Sequence, residues 1–187
     1  IRSAVVAHLR NVDETLAARV ADGLGIELPE PAPAARPAVD MPPSDKLSIH
    51  KQPVPPPEGR KLGILVTDGA EGATVEALRA AAEAEGAAVM IVAPKVGGAT
   101  TAEGKRIAAD GQLAGTPSLV FDAVAIVASK EGAEALLQDS AGKDFVIFAW
   151  VHLKAIAATA EAQPLLDACG VAKDDFVLDA ADAAGLV

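Results

Sequence analysis

The stretch KLGILVTDGAEGATVEALRAAAEAEGAAVMIVAP, residues 61–94, decides the fold. Residues 61–67 form an almost unbroken apolar run, which predicts a strand buried on both faces. Residues 73–85 are rich in Ala and Glu and are followed by a glycine, so we expect a helix there. A second apolar run covers residues 88–93 and ends at a proline. Strand, helix and strand in this order predict two parallel strands joined by a helical crossover.

The same alternation continues through the rest of the chain. We expect further strands at 123–128, 144–149 and 176–178, and further helices at 132–137, 153–158 and after residue 178. The Asp110-Gly111 pair favours a tight hairpin turn between residues 106–109 and 112–114. Together these elements predict an α/β protein with a doubly wound, flavodoxin-like parallel sheet.

Two smaller regions precede this predicted domain of residues 60–187. Ten of the 13 prolines lie between Pro29 and Pro57, so residues 29–59 are predicted to form an extended linker. Residues 1–28 are predicted to be helical, with Asn11 or Asp13 as the N-cap and Gly23 as the stop. Their apolar stripe consists of Leu9, Val12, Leu16 and Val20. Such a short segment cannot bury this stripe alone, so we expect it to pack on another surface.

Composition excludes several classes of function. The 187 residues are 51% hydrophobic but only 3% aromatic, with no Tyr, so the core must consist mainly of Ala, Val, Leu and Ile. A net charge of −10 argues against nucleic acid and anionic membranes as partners. A single cysteine, Cys169, excludes an internal disulfide framework and fits a reducing compartment, so we expect a cytoplasmic protein. Three scattered histidines do not predict a metal site.

Few residues carry an obvious chemistry. The loop Asp68–Gly72 precedes a predicted helix and could hold an anion, but it matches no phosphate-binding motif and is acidic. The loop Lys95–Gly98 also lacks such a motif and is interpreted as a plain turn. His152 follows a predicted strand, yet the preceding residue, Val151, has no reactive atom. Cys169 is expected to be buried and unreactive.

The first strand with its DGAEG loop, and the strand leading to Trp150-Val151-His152, resemble the intracellular-protease and class I glutamine-amidotransferase-like superfamily. Active members of that superfamily place a cysteine on a sharp strand-to-helix turn, usually before a histidine, with a glutamate nearby. The resemblance assigns that glutamate to Glu71 and that histidine to His152, and it puts Val151 in the place of the cysteine. It therefore implies a vestigial site without a nucleophile.

A second resemblance covers almost the whole chain. The C-terminal region of large-subunit monofunctional haem catalases is similar in the order and spacing of the segments 11–14, 23–25, 43–48, 59–69 and 152–156. This resemblance implies that residues 1–28 end a catalase core, that 29–59 are a linker, and that 60–187 form an appended flavodoxin-like domain. It implies a parent that converts hydrogen peroxide into water and oxygen, with haem bound outside this segment, since the family's haem-ligating tyrosine has no counterpart here.

The catalase resemblance implies a noncatalytic domain with a stabilising or chaperone-like role. Its expected partners are the catalase core, neighbouring subunits of a homotetramer, and unfolded client proteins. The alternative is a standalone cysteine-type hydrolase or glyoxalase-like enzyme, which Val151 disfavours. A third interpretation is an electron-transfer flavodoxin. It is disfavoured because the sequence lacks the phosphate loop and the aromatic residues expected around a flavin.

Overall fold

The computed structural model describes residues 1–37, 39, 41–52 and 57–181. The chain divides into two compact units, residues 1–54 and 55–187. No helix within these described ranges is long and apolar enough to cross a membrane.

The described residues of the first unit form two short helices, α1 (Arg2–Leu9) and α2 (Glu14–Gly23), and a 3-10 turn at Ile49–Lys51. Asp13 is the N-cap of α2, and its carboxylate accepts a hydrogen bond from the Leu16 N–H at 2.7 Å. The cap predicted from the sequence is therefore confirmed at Asp13. The helix ends at Gly23, as predicted, and the first positive φ after it falls at Gly25.

Only a small core holds these two helices together. Its fully buried residues are Val6, Ala17 and Ala21. Leu9 and Val20 pack against this core, whereas Val12 and Leu16 are exposed. The predicted stripe is thus wrong in half of its members, because α1 covers the alanine face of α2 and leaves the Val12–Leu16 side open.

The second unit contains most of the regular structure. Its described strands are β1 (Lys61–Val66), β2 (Ala88–Ala93), β3 (Ala99–Thr100), β4 (Arg106–Ile107), β5 (Gly111–Gln112), β6 (Ala123–Val127), β7 (Ala155–Ala158) and β8 (Val177–Asp179). Its described helices are α3 (Gly72–Ala84), α4 (Lys130–Gln138), α5 (Ser140–Val151) and α6 (Gln163–Ala168). Six strands form one parallel sheet in the order β5-β2-β1-β6-β7-β8, while β3 and β4 form an antiparallel pair.

Helices cover the sheet from both sides, as the doubly wound prediction requires. On β1, Leu65 joins a core with α4, α5 and α6, whereas Ile64 and Val66 join a separate core with α3. This alternation follows from the period of two along a strand. The Phe121 ring packs directly against Gly63 of this strand, and a Cβ at position 63 would collide with it.

Two elements were predicted with the wrong type. Residues 144–149 belong to helix α5 and not to a strand, and the predicted helix at 153–158 is in fact strand β7. Asp139 starts α5, since its carboxylate accepts a hydrogen bond from the Ala141 N–H at 3.0 Å. Residues 155–158 are extended because they pair with β6 on one side and β8 on the other.

The predicted hairpin around Asp110-Gly111 is also wrong. β4 pairs with β3, and Gly111 pairs with Val92 as part of the parallel sheet. The Asp110 carboxylate accepts a hydrogen bond from the Ile91 N–H at 2.8 Å, which ties it to β2 and leaves no tight turn there. The helix expected after residue 178 does not begin there, because Asp179 belongs to β8 and residues 180–181 form a turn; residues 182–187 lie outside the described residues.

Candidate functional site

The carboxyl edge of the parallel sheet is the place where ligands bind in this architecture. Asp68 follows β1, Ser129 follows β6 and Thr159 follows β7, so all three lie on this edge. Glu71, the glutamate of the expected vestigial site, lies here too, as the N-cap of α3. The edge therefore collects polar side chains from three neighbouring strands.

Asp68 is held by two neighbours. Its carboxylate is 2.6 Å from the Lys95 ammonium and accepts a hydrogen bond from the Thr100 N–H at 2.9 Å. These contacts hold the pKa of the Asp68 carboxyl below its ordinary value, with the Lys95 hydrogen bond as the largest cause. The loop that starts at Lys95 turns back on itself, since the Gly98 N–H donates to the Lys95 carbonyl at 2.9 Å. The two loops are thus joined by the Asp68–Lys95 pair, and residues 95–98 form a turn.

The N-terminus of α3 already has an anion beside it. The Gly72 N–H donates to the Glu103 carboxylate at 3.3 Å. The pKa of the Glu103 carboxyl is lowered, mainly by a hydrogen bond from the Thr101 hydroxyl. Glu71 accepts a hydrogen bond from the Thr74 hydroxyl at 2.6 Å, within the first turn of its own helix. An external anion would have to displace Glu103 from this position.

Three hydroxyl groups join the strand ends to one another. The Thr67 hydroxyl accepts from the Ser129 N–H at 3.1 Å, and the Ser129 hydroxyl donates to the Asp68 carbonyl at 2.7 Å. The Thr159 hydroxyl accepts from the Ala128 N–H at 3.3 Å and donates to the Ala128 carbonyl at 3.1 Å. These hydroxyls have a structural role, since each links a loop to the adjacent strand end.

The structure does not bring Glu71, Val151 and His152 together. Val151 ends α5 and His152 caps it, and both precede β7, so they lie at the amino edge of the sheet. Glu71 lies at the opposite, carboxyl edge. The His152 ring nitrogen Nδ1 is 2.9 Å from the Phe148 carbonyl of its own helix. The proposed equivalence with a strand-to-helix turn is therefore wrong, because the preceding element is a helix.

One strand-to-helix turn of this chain follows β7. Thr159 and Ala160 lie there, before a 3-10 turn (Ala160–Ala162) and α6. The turn was not predicted from the sequence, because a helix was expected at residues 153–158. Pro164 in the first turn of α6 was an available signal, since proline favours the start of a helix. No cysteine occupies this turn.

Cys169 is not one of the side chains at the carboxyl edge. It caps the C-terminus of α6, and its half-buried thiol donates a weak hydrogen bond to the Lys143 carbonyl at 3.8 Å. Burial raises the pKa of the Cys169 thiol. A raised pKa disfavours the thiolate, which is the reactive form of cysteine.

The described part of the second unit has open cavities on its surface, and two of them lie near the elements discussed above. One, of about 370 Å³, lies between α3 and β4 and is lined mainly by charged residues, among them Glu76, Arg79 and Lys105. The other, of about 330 Å³, lies at the carboxyl ends of β7 and β8 and contains Thr159 and Lys173. No group of three or more His, Cys, Asp or Glu side chains that could hold a metal ion occurs among the residues described.

Sequence comparisons place this arrangement among known proteins. A family model described as the C-terminal domain found in long catalases matches residues 58–187. Catalase C of Rhizobium meliloti (strain 1021) is 47% identical over 188 aligned positions, which cover 98% of this chain and 27% of the relative. Catalase HPII of Pseudomonas aeruginosa is 33% identical over 170 positions, which cover 91% of this chain and 24% of the relative.

Structural comparisons show the fold. The crystal structure of Drosophila melanogaster DJ-1beta aligns with a TM-score of 0.55 at 23% identity, covering 60% of this chain and 61% of that one. A two-domain protein from Anabaena variabilis with DJ-1/ThiJ/PfpI-like and ferritin-like domains aligns with a TM-score of 0.56 at 19% identity, covering 62% and 34%. The chain spans about a quarter of the length of the catalases it matches. With a family model matched over residues 58–187, it belongs to the family of C-terminal domains of long catalases.

Proposed function

We propose that this chain is a noncatalytic part of a long haem catalase and that it acts by interaction. The parent polypeptide would convert hydrogen peroxide into water and oxygen in the cytoplasm as a homotetramer. Within it, the chain would stabilise the catalase core and neighbouring subunits. The family match, and the alignment of 98% of this chain with Catalase C, support the catalase part of this proposal.

One observation supports a noncatalytic role: the polar groups at the carboxyl edge of the sheet are bound to one another. The Thr159 hydroxyl at the strand-to-helix turn exchanges hydrogen bonds with the Ala128 backbone. The α3 N-terminus is bound to Glu103, and Asp68 is paired with Lys95. A nucleophile needs an adjacent base and a free approach to substrate, and here the hydroxyl is engaged by backbone groups.

Haem would bind elsewhere in the parent. Axial ligands to haem iron are His, Cys, Met or Tyr side chains. Neither of the two cavities described above is lined by any of these residue types. The chain has no Tyr, and the Cys169 thiol is half-buried and bonded to a carbonyl. Neither cavity therefore supplies an axial ligand for haem iron.

Removing residues 58–187 from the full-length catalase tests the stabilising role. We expect the melting temperature of the truncated enzyme to fall by several degrees, while peroxide turnover per bound haem stays near that of the full-length enzyme at low temperature. An unchanged melting temperature would argue against a stabilising role. A complete loss of turnover in a folded, haem-loaded truncated enzyme would argue against a noncatalytic one.

A chaperone-like role is a second candidate, favoured by the net charge of −10, which supports solubility. Its test adds the 187-residue chain to an unrelated, heat-stressed enzyme and follows light scattering. Suppressed aggregation would support the chaperone-like role. No effect at several-fold molar excess would argue against it and leave the stabilising role.

The hydrolase or glyoxalase alternative predicts turnover of methylglyoxal or peptides by the same chain, which we do not expect.

A further inference from the structure

Exposed apolar side chains of the second unit concentrate at one end of the sheet. Six large apolar residues are exposed among residues 57–181, and five of them directly precede β6, β7 or β8 at the amino edge. We call these five the amino-edge patch: Leu119, Val120, Val151, Leu153 and Phe176. The sixth, Val96, follows β2 and lies towards the carboxyl edge. Clustered exposure of this kind marks an interaction site, whereas single exposed apolar residues do not.

Hydrogen bonds hold the three segments of the patch side by side. The Lys154 ammonium donates to the Ser118 carbonyl at 2.8 Å, to the Leu119 carbonyl at 3.0 Å, and also to the Phe121 carbonyl. It thereby links the segment before β6 to the segment before β7. The Ile156 N–H donates to the Phe176 carbonyl at 2.9 Å, which links the segment before β8. The patch is therefore a built surface whose parts have fixed positions.

Leu153 shows an unusual combination of exposure and backbone geometry. It has a φ of 54°, in the left-handed region that glycine prefers, and its residue surface is 88% exposed. Among the described residues it is the single non-glycine with positive φ. The Lys154 N–H donates to the Ala149 carbonyl and the Leu153 N–H to the Trp150 carbonyl, both at 3.0 Å, which is the helix ending that normally carries glycine at this position. Neither strain nor hydration favours an exposed leucine here.

We propose that the amino-edge patch is the surface by which this domain docks on the preceding, catalase part of its own polypeptide, with Leu153 as the central contact. This inference rests on the proposed function. The long catalases that match the chain are about four times its length, so most of such a polypeptide lies outside the structure. A partner in the same polypeptide is held at high effective concentration and needs only a modest apolar surface to stay bound. The occupant is an apolar face of that catalase part, since the patch itself is apolar.

Hydrogen exchange of the full-length catalase, compared with the 187-residue chain, tests the proposal. We expect amides in residues 118–122, 151–154 and 175–177 to exchange about tenfold or more slowly in the full-length protein. Leu153→Asp in the full-length protein should remove this protection. Val96→Asp is the matched control, because it places the same charge on an exposed apolar residue outside the patch. Leu153→Asn is a second variant that tolerates positive φ, so a loss of protection in both cannot be attributed to failed folding.

The outcomes separate this proposal from the proposed function. Equal exchange in both proteins, or protection unaffected by Leu153→Asp, overturns the docking surface. Dimerisation of the 187-residue chain that protects the same amides also overturns it, in favour of a second copy of the chain. If removal of residues 58–187 lowers the melting temperature while the patch exchanges freely, the stabilising role stands and the docking surface fails. If the patch is protected but truncation has no effect on the melting temperature, the docking surface stands and the stabilising role fails.

Discussion

At the scale of single residues, Leu153 carries a backbone strain that glycine would relieve. A leucine in the left-handed region destabilises the folded state by about 1–2 kcal/mol. Burial of the Leu153 side chain offsets little of this cost, since the residue is 88% exposed. We expect Leu153→Gly to raise the free energy of unfolding of the 187-residue chain by about 1 kcal/mol, measured by urea denaturation. Leu153→Ala keeps the unfavourable φ and is the control that should show no such gain. A destabilised glycine variant would contradict the strain interpretation.

Asp68 gives the chain a dependence on acid pH. Its pKa in the folded state lies below the ordinary value of 3.8, mainly because of the hydrogen bond from Lys95. A carboxyl with a lowered folded-state pKa stabilises the protein fully above the unfolded value, and this stabilisation is lost as pH falls through the folded value. We therefore expect the free energy of unfolding to fall as the pH drops below about 4, and Asp68→Asn to flatten that fall.

The same Asp68→Asn variant should lose only about 0.5–1 kcal/mol at pH 7, because the pair with Lys95 is exposed to solvent. Glu134→Gln, which changes an exposed carboxylate on α4, is the matched control and should leave the acid limb of the curve in place. If both variants showed the same pH dependence as the unmodified chain, Asp68 would not be its source.

At the scale of elements, the contact between Gly63 of β1 and the Phe121 ring leaves no room for an added side chain. A Cβ on Gly63 would meet the Phe121 ring, which lies in the core beneath α5. We expect Gly63→Ala to destabilise the chain by about 1–3 kcal/mol, because a close-packed core cannot absorb an added methyl group without displacing its neighbours. Gly115→Ala is the control: no atom lies within 4 Å of its added Cβ, so its effect should be small. Thermal melts of the two variants decide the comparison.

Most elements of the second unit could be predicted from the sequence, and the two that were given the wrong type fail because local patterns did not decide between helix and strand. Residues 144–149 read DFVIFA, a short run of aromatic and β-branched side chains that suits either a strand or a buried helix. Asp139 starts that helix through its capping bond. Residues 155–158 read AIAA and favour a helix by propensity, but the pairing with β6 and β8 overrides it.

The candidate site failed as a consequence of those two errors. Exchanging the strand and the helix places His152 before β7 and not after it, which moves the residue to the other edge of the sheet. Glu71 was placed correctly, because β1 and α3 were predicted correctly. The partner of Gly72 could not be foreseen, since Glu103 is 31 residues away in sequence and reaches the helix only through the loop between β3 and β4.

At the scale of the whole molecule, the two units differ greatly in the size of their cores. The first unit buries Val6, Ala17 and Ala21, whereas each face of the second unit buries a large set of apolar residues. A domain of this small size gains little from burial. We expect amides of α2 to exchange close to the rate of an unfolded chain, and amides of β1 to be protected by the full free energy of unfolding. Strong protection of α2 in the monomeric 187-residue chain would mean that its helices have contacts beyond their own small core.

The outermost strands of the sheet are its shortest ones. β5 has two residues and β8 has three, so the described sheet offers very few unpaired backbone groups at either side. Long exposed edge strands recruit further strands from other molecules and start fibrous aggregates, and short ones avoid this. The described sheet therefore offers little edge to which a strand of a damaged neighbouring protein could add.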